Sequence, residues 1–174
     1  MSHKLKMLFD GDDSLFKDVL KTSKIFGEYG CGSSTEWVLK NTNADIVSVD
    51  SSRDWVDKIS SGNAAYKKRL KLKYIDLGEV ENWGRPVGYE KSYNFINYFN
   101  WIWNQDILPD TVLIDGRFRV CCFLTSMNLP YKFSCVTTSM VNTLSASILL
   151  PFSPQMIVIV ESGLNALEYI SSCL

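Results

Sequence analysis

Short apolar runs alternate with amphipathic stretches through the first two thirds of this chain. Lys24 to Gly27 reads as the end of a buried strand, Asp45 to Asp50 (DIVSVD) as a second strand, Leu70 to Ile75 as a third and Thr111 to Ile114 as a fourth. Between them lie helical patterns. Leu15, Phe16, Val19 and Leu20 recur at helical spacing in a segment that runs to Thr22, and Asp12 or Asp13 is placed to cap it. Ser33 to Lys40 reads as the next helix, and Arg53 to Ile59 as another, with Trp55 and Ile59 one turn apart. Strand and helix in alternation imply an α/β fold with a mainly parallel sheet.

The stretch Tyr89 to Trp103, YEKSYNFINYFNWIW, is dense in aromatics. Phe95, Ile96, Phe99, Ile102 and Trp103 recur at helical spacing and read as core. Tyr93, Tyr98 and Trp101 exceed what one face buries, which directs them to a cleft or a partner subunit and leaves room for a homo-oligomer.

The pattern changes near residue 120. Val120 to Met127 still reads as the start of a helix, but Asn128 to Pro154 has no clear periodicity and contains three prolines. Strand pattern returns at Met156 to Val160, and a short helix is expected from Leu164 to Ser171. Beyond Arg119 the only charged side chains are Lys132, Glu161 and Glu168, and serine and threonine take the place of the rest. A shift of reading frame near Ser126 would account for this change. Alternatively, the uncharged stretch Phe133 to Val160 marks a membrane-associated or subunit-contact segment, although its hydroxyl residues and prolines argue against a spanning helix.

A chain of 174 residues, 46% hydrophobic, can bury one core. The expectation is a single domain over residues 1–174, with an N-terminal helix in 1–22, a central core in 23–127 and an atypical tail in 128–174. The net charge of -1 leaves no electrostatic footprint for nucleic acid, and the local basic run Lys67 to Lys73 (KKRLKLK) reads as a solvated helix end leading into a strand. Five cysteines, an odd number without CxxC spacing, indicate neither a disulfide framework nor a zinc site. With no signal-peptide pattern and no run of about twenty apolar residues, the cytoplasm is the default compartment. The only histidine, His3, sits near the start, so histidine-based catalysis is not expected.

The candidate chemistry lies in Phe26 to Thr35, FGEYGCGSST. Gly30 and Gly32 permit a tight turn and close backbone approach between a strand and the helix that follows. Glu28, two residues before the first glycine, stands where a carboxylate meets a cationic amine. A dinucleotide loop would want a third glycine where the chain has Thr35, and pyrophosphate would be repelled by Glu28. Asp50, eighteen residues after Gly32, is placed at a strand end to accept both hydroxyls of a ribose. Cys31 lacks a partner base that would make it a nucleophile. Asp115 ends the fourth strand, where ligands collect in open α/β sheets, and is the best base or metal ligand available; Arg117 and Arg119 suit an anionic substrate or pair with nearby acids.

An acid, any residue, then GxG at the end of the first strand resembles the first motif of class I S-adenosylmethionine-dependent methyltransferases. The segments GEYGCGSST, WGRP (Trp83 to Pro86) and IDGRFR (Ile114 to Arg119) resemble a poorly characterised subgroup of that family. The resemblance implies a Rossmann-like sandwich and S-adenosyl-L-methionine as cofactor. It implies that Glu28, Tyr29, Gly30, Cys31, Gly32, Ser33 and Ser34 line the methionine end, with Asp50 and Ser51 at the ribose, Asp76 and Leu77 at the adenine, and Asp115 at the reacting end. Some relatives bind a divalent metal through a pair of acids after the fifth strand. That pair is missing here, so no metal is expected. Fourteen residues after Val160 cannot supply the family's closing antiparallel hairpin, which implies C-terminal strands truncated or rebuilt.

The function implied is methyl transfer to a small-molecule oxygen or nitrogen nucleophile, a saccharide or another metabolite. The alternative is a domain that binds the cofactor or its product without turnover; a nicotinamide enzyme is a third and weaker option.

Overall fold

The computed structural model describes residue 8 and residues 13–81, 85–127, 134–138 and 158–161. Helix α1 (Ser14–Leu20) is followed by strand β1 (Ile25–Tyr29), helix α2 (Ser33–Asn41), β2 (Asp45–Asp50), α3 (Arg53–Gly62) and β3 (Leu70–Tyr74). Helix α4 (Phe95–Asn100), extended at both ends by 3-10 turns at Ser92–Asn94 and Trp101–Trp103, leads to β4 (Thr111–Ile114) and α5 (Arg119–Met127). Strands β5 (Ser134–Thr138) and β6 (Val158–Glu161) complete a six-stranded sheet in the order β3-β2-β1-β4-β5-β6. Every strand pair is parallel.

Strand alternation sorts the core into two layers. Phe26 of β1, Ile46 of β2 and Leu113 of β4 point to the side covered by α1 and α2, where Phe16, Leu20, Val38 and Leu39 meet them. Full burial of each such side chain contributes roughly 1.5–3 kcal/mol before the entropy of ordering it. On the opposite face Tyr29, Val47, Val49, Val112 and Ile114 pack against Tyr98, Ile102 and Trp103 of the α4 segment and Cys122 of α5. Helix α3 lies over the edge strand, with Val56 and Ile59 against Leu70, Leu72 and Tyr74.

The parallel sheet and its first four strands, β1 to β4, agree with the sequence pattern. Strand β6 overlaps the expected Met156 to Val160, whereas β5 falls inside a stretch read as having no periodicity. Its residues, SCVTT, are mostly small and hydroxylated, so no apolar run announces them. The C-terminal part extends the sheet by two parallel strands.

Three local readings are corrected. Asp13 stands at the start of α1 but makes no side-chain cap; its carboxylate accepts the Leu8 N–H at 2.8 Å and pairs with Lys17 at 2.7 Å. Arg69, read as part of a solvated basic run, turns inward and donates to the carbonyls of Thr42 (2.9 Å) and Ala44 (2.6 Å) beyond the end of α2. In the aromatic segment, Tyr98 is fully buried and Ile96 is exposed, the reverse of their expected roles. The 3-10 turns at both ends wind more tightly than an α-helix and rotate the inward face.

The expected helix at Leu164 to Ser171 and the Trp83 and Gly84 of WGRP lie outside the described residues. Around the latter, Glu81 N–H donates to Arg85 C=O at 2.7 Å and Val80 bridges Pro86, so the flanks meet in a tight return. Among the described residues no helix is long and apolar enough to cross a membrane.

Candidate functional site

The glycine turn after β1 is clamped from two sides. Gly30 has φ +93, a conformation that disfavours any side chain, and its N–H donates to Val49 C=O at 2.8 Å. A Cβ on Gly30 would come within 2.8 Å of the Gly116 N and Cα, so the turns after β1 and β4 touch backbone to backbone. Gly116 is in turn seated against the Tyr98 hydroxyl, which accepts the Arg117 N–H at 3.3 Å. On the other side Asp50, at the end of β2, accepts the Cys31 N–H at 2.8 Å and the Ser52 N–H at 2.7 Å. The carboxyl ends of β1, β2 and β4 therefore converge on one crevice.

Gly32 closes the turn and faces open space: a Cβ built on it would meet nothing within 4 Å. Its N–H donates to Thr35 Oγ1 at 2.9 Å, and that hydroxyl donates onward to Glu28 Oε2 at 2.5 Å. Ser34 donates to Glu28 Oε1, and Ser48, the residue paired with Glu28 across β1 and β2, donates to Oε2 at 3.1 Å. Glu28 is fully enclosed, and burial raises its pKa from 4.5 to about 7 despite these hydroxyls. The carboxyl thus stitches β1, β2 and α2 together beneath the turn. Strand alternation explains the placement, because Glu28 shares a face with Phe26, which packs under α1 and α2.

The other expected site residues are distributed as follows. Tyr29 contributes only backbone to the turn, since its ring is buried on the α4 side and its hydroxyl donates to Phe99 C=O. Ser33 is exposed at the start of α2, whereas Ser34 and Ser51 are buried. Burial, followed by the carboxylates of Asp50 and Glu28, pushes the Cys31 thiol far up, which keeps it protonated. Asp50 is pushed up by burial, with the Ser52 and Cys31 amides opposing. Leu77 belongs to the core, while Asp76 is half-exposed, accepts the Gly78 N–H at 3.0 Å and pairs with Lys91, which holds its carboxyl below the usual range.

Asp115 is the exposed acid of the crevice, with 41% of its side chain accessible, and Arg119 reaches it at 3.3 Å. Burial lowers the Arg119 pKa and Asp115 raises it. Between Arg117 and Arg119, Phe118 adopts φ +54 and is held by Phe95, Phe99 and Tyr98, with ring centroids 4.6, 5.3 and 6.1 Å away. Sequence reasoning missed Thr35, Ser48 and Tyr98 as parts of this architecture. Thr35 was legible only as a glycine that was not there.

An all-parallel sheet with a tight glycine turn at β1 and acids at the ends of β1, β2 and β4 defines an α/β domain of methyltransferase-like fold. Its structure is similar to that of a methyltransferase-like protein from Silicibacter pomeroyi DSS-3, with a TM-score of 0.56 and 28% sequence identity. The similarity covers 64% of this chain and 61% of that one, so the chain spans about three fifths of its solved relative. No protein-family model and no curated protein matches the chain.

Proposed function

We propose that this chain is a class I S-adenosylmethionine-dependent methyltransferase domain acting on a small-molecule oxygen or nitrogen nucleophile. The observation that carries this reading is the open space at Gly32, next to a turn clamped between Asp50 and Gly116, in a chain similar to a methyltransferase-like protein. The donor set suits an adenosyl group through Asp50, placed at the end of β2 for ribose hydroxyls; Glu28, expected from the sequence to meet the cofactor's amine, is instead sealed beneath the turn among hydroxyls because its strand face lies under α2. When bound, S-adenosylmethionine supplies a methyl group on a sulfonium.

Each protein group then has a role. Asp50 stands at the end of β2, where ribose hydroxyls would meet a carboxylate already oriented by the Cys31 and Ser52 amides. Glu28 acts through Thr35 and Ser34, holding Gly32 and the start of α2 in place. Asp115 accepts the proton of the incoming nucleophile, with Arg119 orienting its carboxylate and Arg117 beside it for an anionic substituent.

A domain that holds the cofactor without turnover is the second reading. It is favoured by the engagement of Asp115 with Arg119, which commits the acid beside Gly116 to an ion pair. Calorimetric titration with S-adenosylmethionine, S-adenosylhomocysteine and NAD tests the cofactor, with Asp50→Ala as the control and circular dichroism to verify folding. Both readings expect the first two ligands to bind and the variant to lose them; NAD binding in their place overturns both. A methylated product that disappears in Asp115→Asn selects the enzyme.

A further inference from the structure

Helix α4 covers the sheet only in part. Lys71 and Lys73 of β3 stand in register with Val47 and Val49, so they share the α4 side of the sheet, yet both are exposed. Tyr98, Ile102 and Trp103 close that side against β1, β2 and β4 and stop short of the edge strand. A cleft of about 450 Å³ remains, with Lys73 and Asp76 on the strand wall and Asn94, Asn97, Trp101 and Asn104 on the helical wall. Spacings of three, four and three residues put the latter four on a single helix face.

The two walls differ in what they leave available. Asn94 donates to Asp76 C=O at 2.8 Å and accepts from Asn97 at 3.2 Å, which orients both amides and leaves the Asn97 carbonyl for another donor. Asp76 is neutralised by Lys91. Lys73 has no ion-pair partner among the described residues. The surface is thus a row of neutral groups that both donate and accept, an indole ring, and one unmatched cation. Hydroxyl groups match amides because they also donate and accept, the C–H face of a saturated ring matches indole, and an acid group matches the ammonium.

We propose that this cleft binds a small polyhydroxylated acid, a sugar carrying a carboxylate or a phosphate, beside the crevice of the glycine turn, sharing with the expected adenine position only Asp76, whose carboxylate Lys91 already engages. The volume accommodates one or two such rings and excludes a long polymer chain as a fully enclosed ligand. The inference does not depend on methyl transfer.

The test is a titration of the full chain, followed by 15N amide and Trp101 indole NMR shifts, with glucuronate, glucose 6-phosphate, glucose and acetate, each with and without adenosine. Glucuronate or glucose 6-phosphate should bind and shift Asn97, Trp101 and Asn104, the stronger of the two revealing whether a carboxylate or a phosphate is read. Glucose should bind roughly tenfold more weakly, acetate weaker still, and adenosine should not displace the sugar acid. Lys73→Met should bring the sugar acids down to the affinity of glucose, and Lys71→Met, on the same strand outside the cleft, should change nothing. Absence of binding to the folded chain, equal binding by Lys73→Met, or displacement by adenosine overturns the proposal, the last by making the cleft an arm of the nucleoside site.

Discussion

The ends of β1 and β4 lie against each other, yet each treats its acid in the opposite way. Glu28 is sealed below the turn by three hydroxyls and carries a pKa of about 7, whereas Asp115, one strand over, is open to the crevice and bound by an arginine. Two carboxylates that look alike in a motif therefore sit in opposite surroundings: one is enclosed among hydroxyls and the other is open to the crevice and paired with an arginine. Burial, more than spacing, distinguishes them.

The largest effect is expected where the two ends are joined. Gly30→Ala places a Cβ at positive φ and within 2.8 Å of the Gly116 backbone, which should cost about 4 kcal/mol in urea unfolding from conformational strain and overpacking together. A cost below about 1 kcal/mol would mean that the ends separate freely.

Glu28 comes next. Its folded pKa lies above its unfolded value of 4.5, so the unfolded chain surrenders the proton first. The stability associated with the neutral carboxyl is fully present below pH 4.5, declines as pH rises and is gone above about 7, a change on the order of 3 kcal/mol. Denaturation midpoints between pH 4.5 and 8 should show this slope, and Glu28→Gln should flatten it while retaining the fold. An unchanged slope in the variant would assign the titration to another group.

Asp115→Asn should have the smallest effect on folding. The ion pair with Arg119 is exposed enough that its loss costs less than about 1 kcal/mol, while proton acceptance in the proposed reaction disappears. Thermal unfolding together with a methyl-transfer assay separates the two consequences, and a large fall in midpoint would place Asp115 with Glu28 as a structural acid.

Much of the sheet was legible because buried parallel strands print themselves as apolar runs. Asp45–Asp50 and Thr111–Ile114 have the bounds that the pattern indicates. Strand β5 was not, since SCVTT carries its pairing in backbone hydrogen bonds and offers little hydrophobic signal. The site was legible as a turn flanked by acids and illegible in its facing: nothing local to GEYGCGSST tells that Thr35 and Ser48 close over Glu28. Parity along β1 makes Phe26 and Glu28 point the same way, but which side that is became clear only from the packing of Phe26 under α1 and α2. The exchange between Ile96 and Tyr98 has a similar origin, since helical phase depends on the 3-10 turns that precede and follow the helix.

The contact between Gly30 and Gly116 carries a consequence for sequence variation. Neither position can accept a methyl group while the other strand end stays where it is, so a lineage that abandoned one glycine would have to move both turns at once. Two residues 86 positions apart in the chain are thereby held to a joint fate, and among descendants of this fold they should persist together or be lost together.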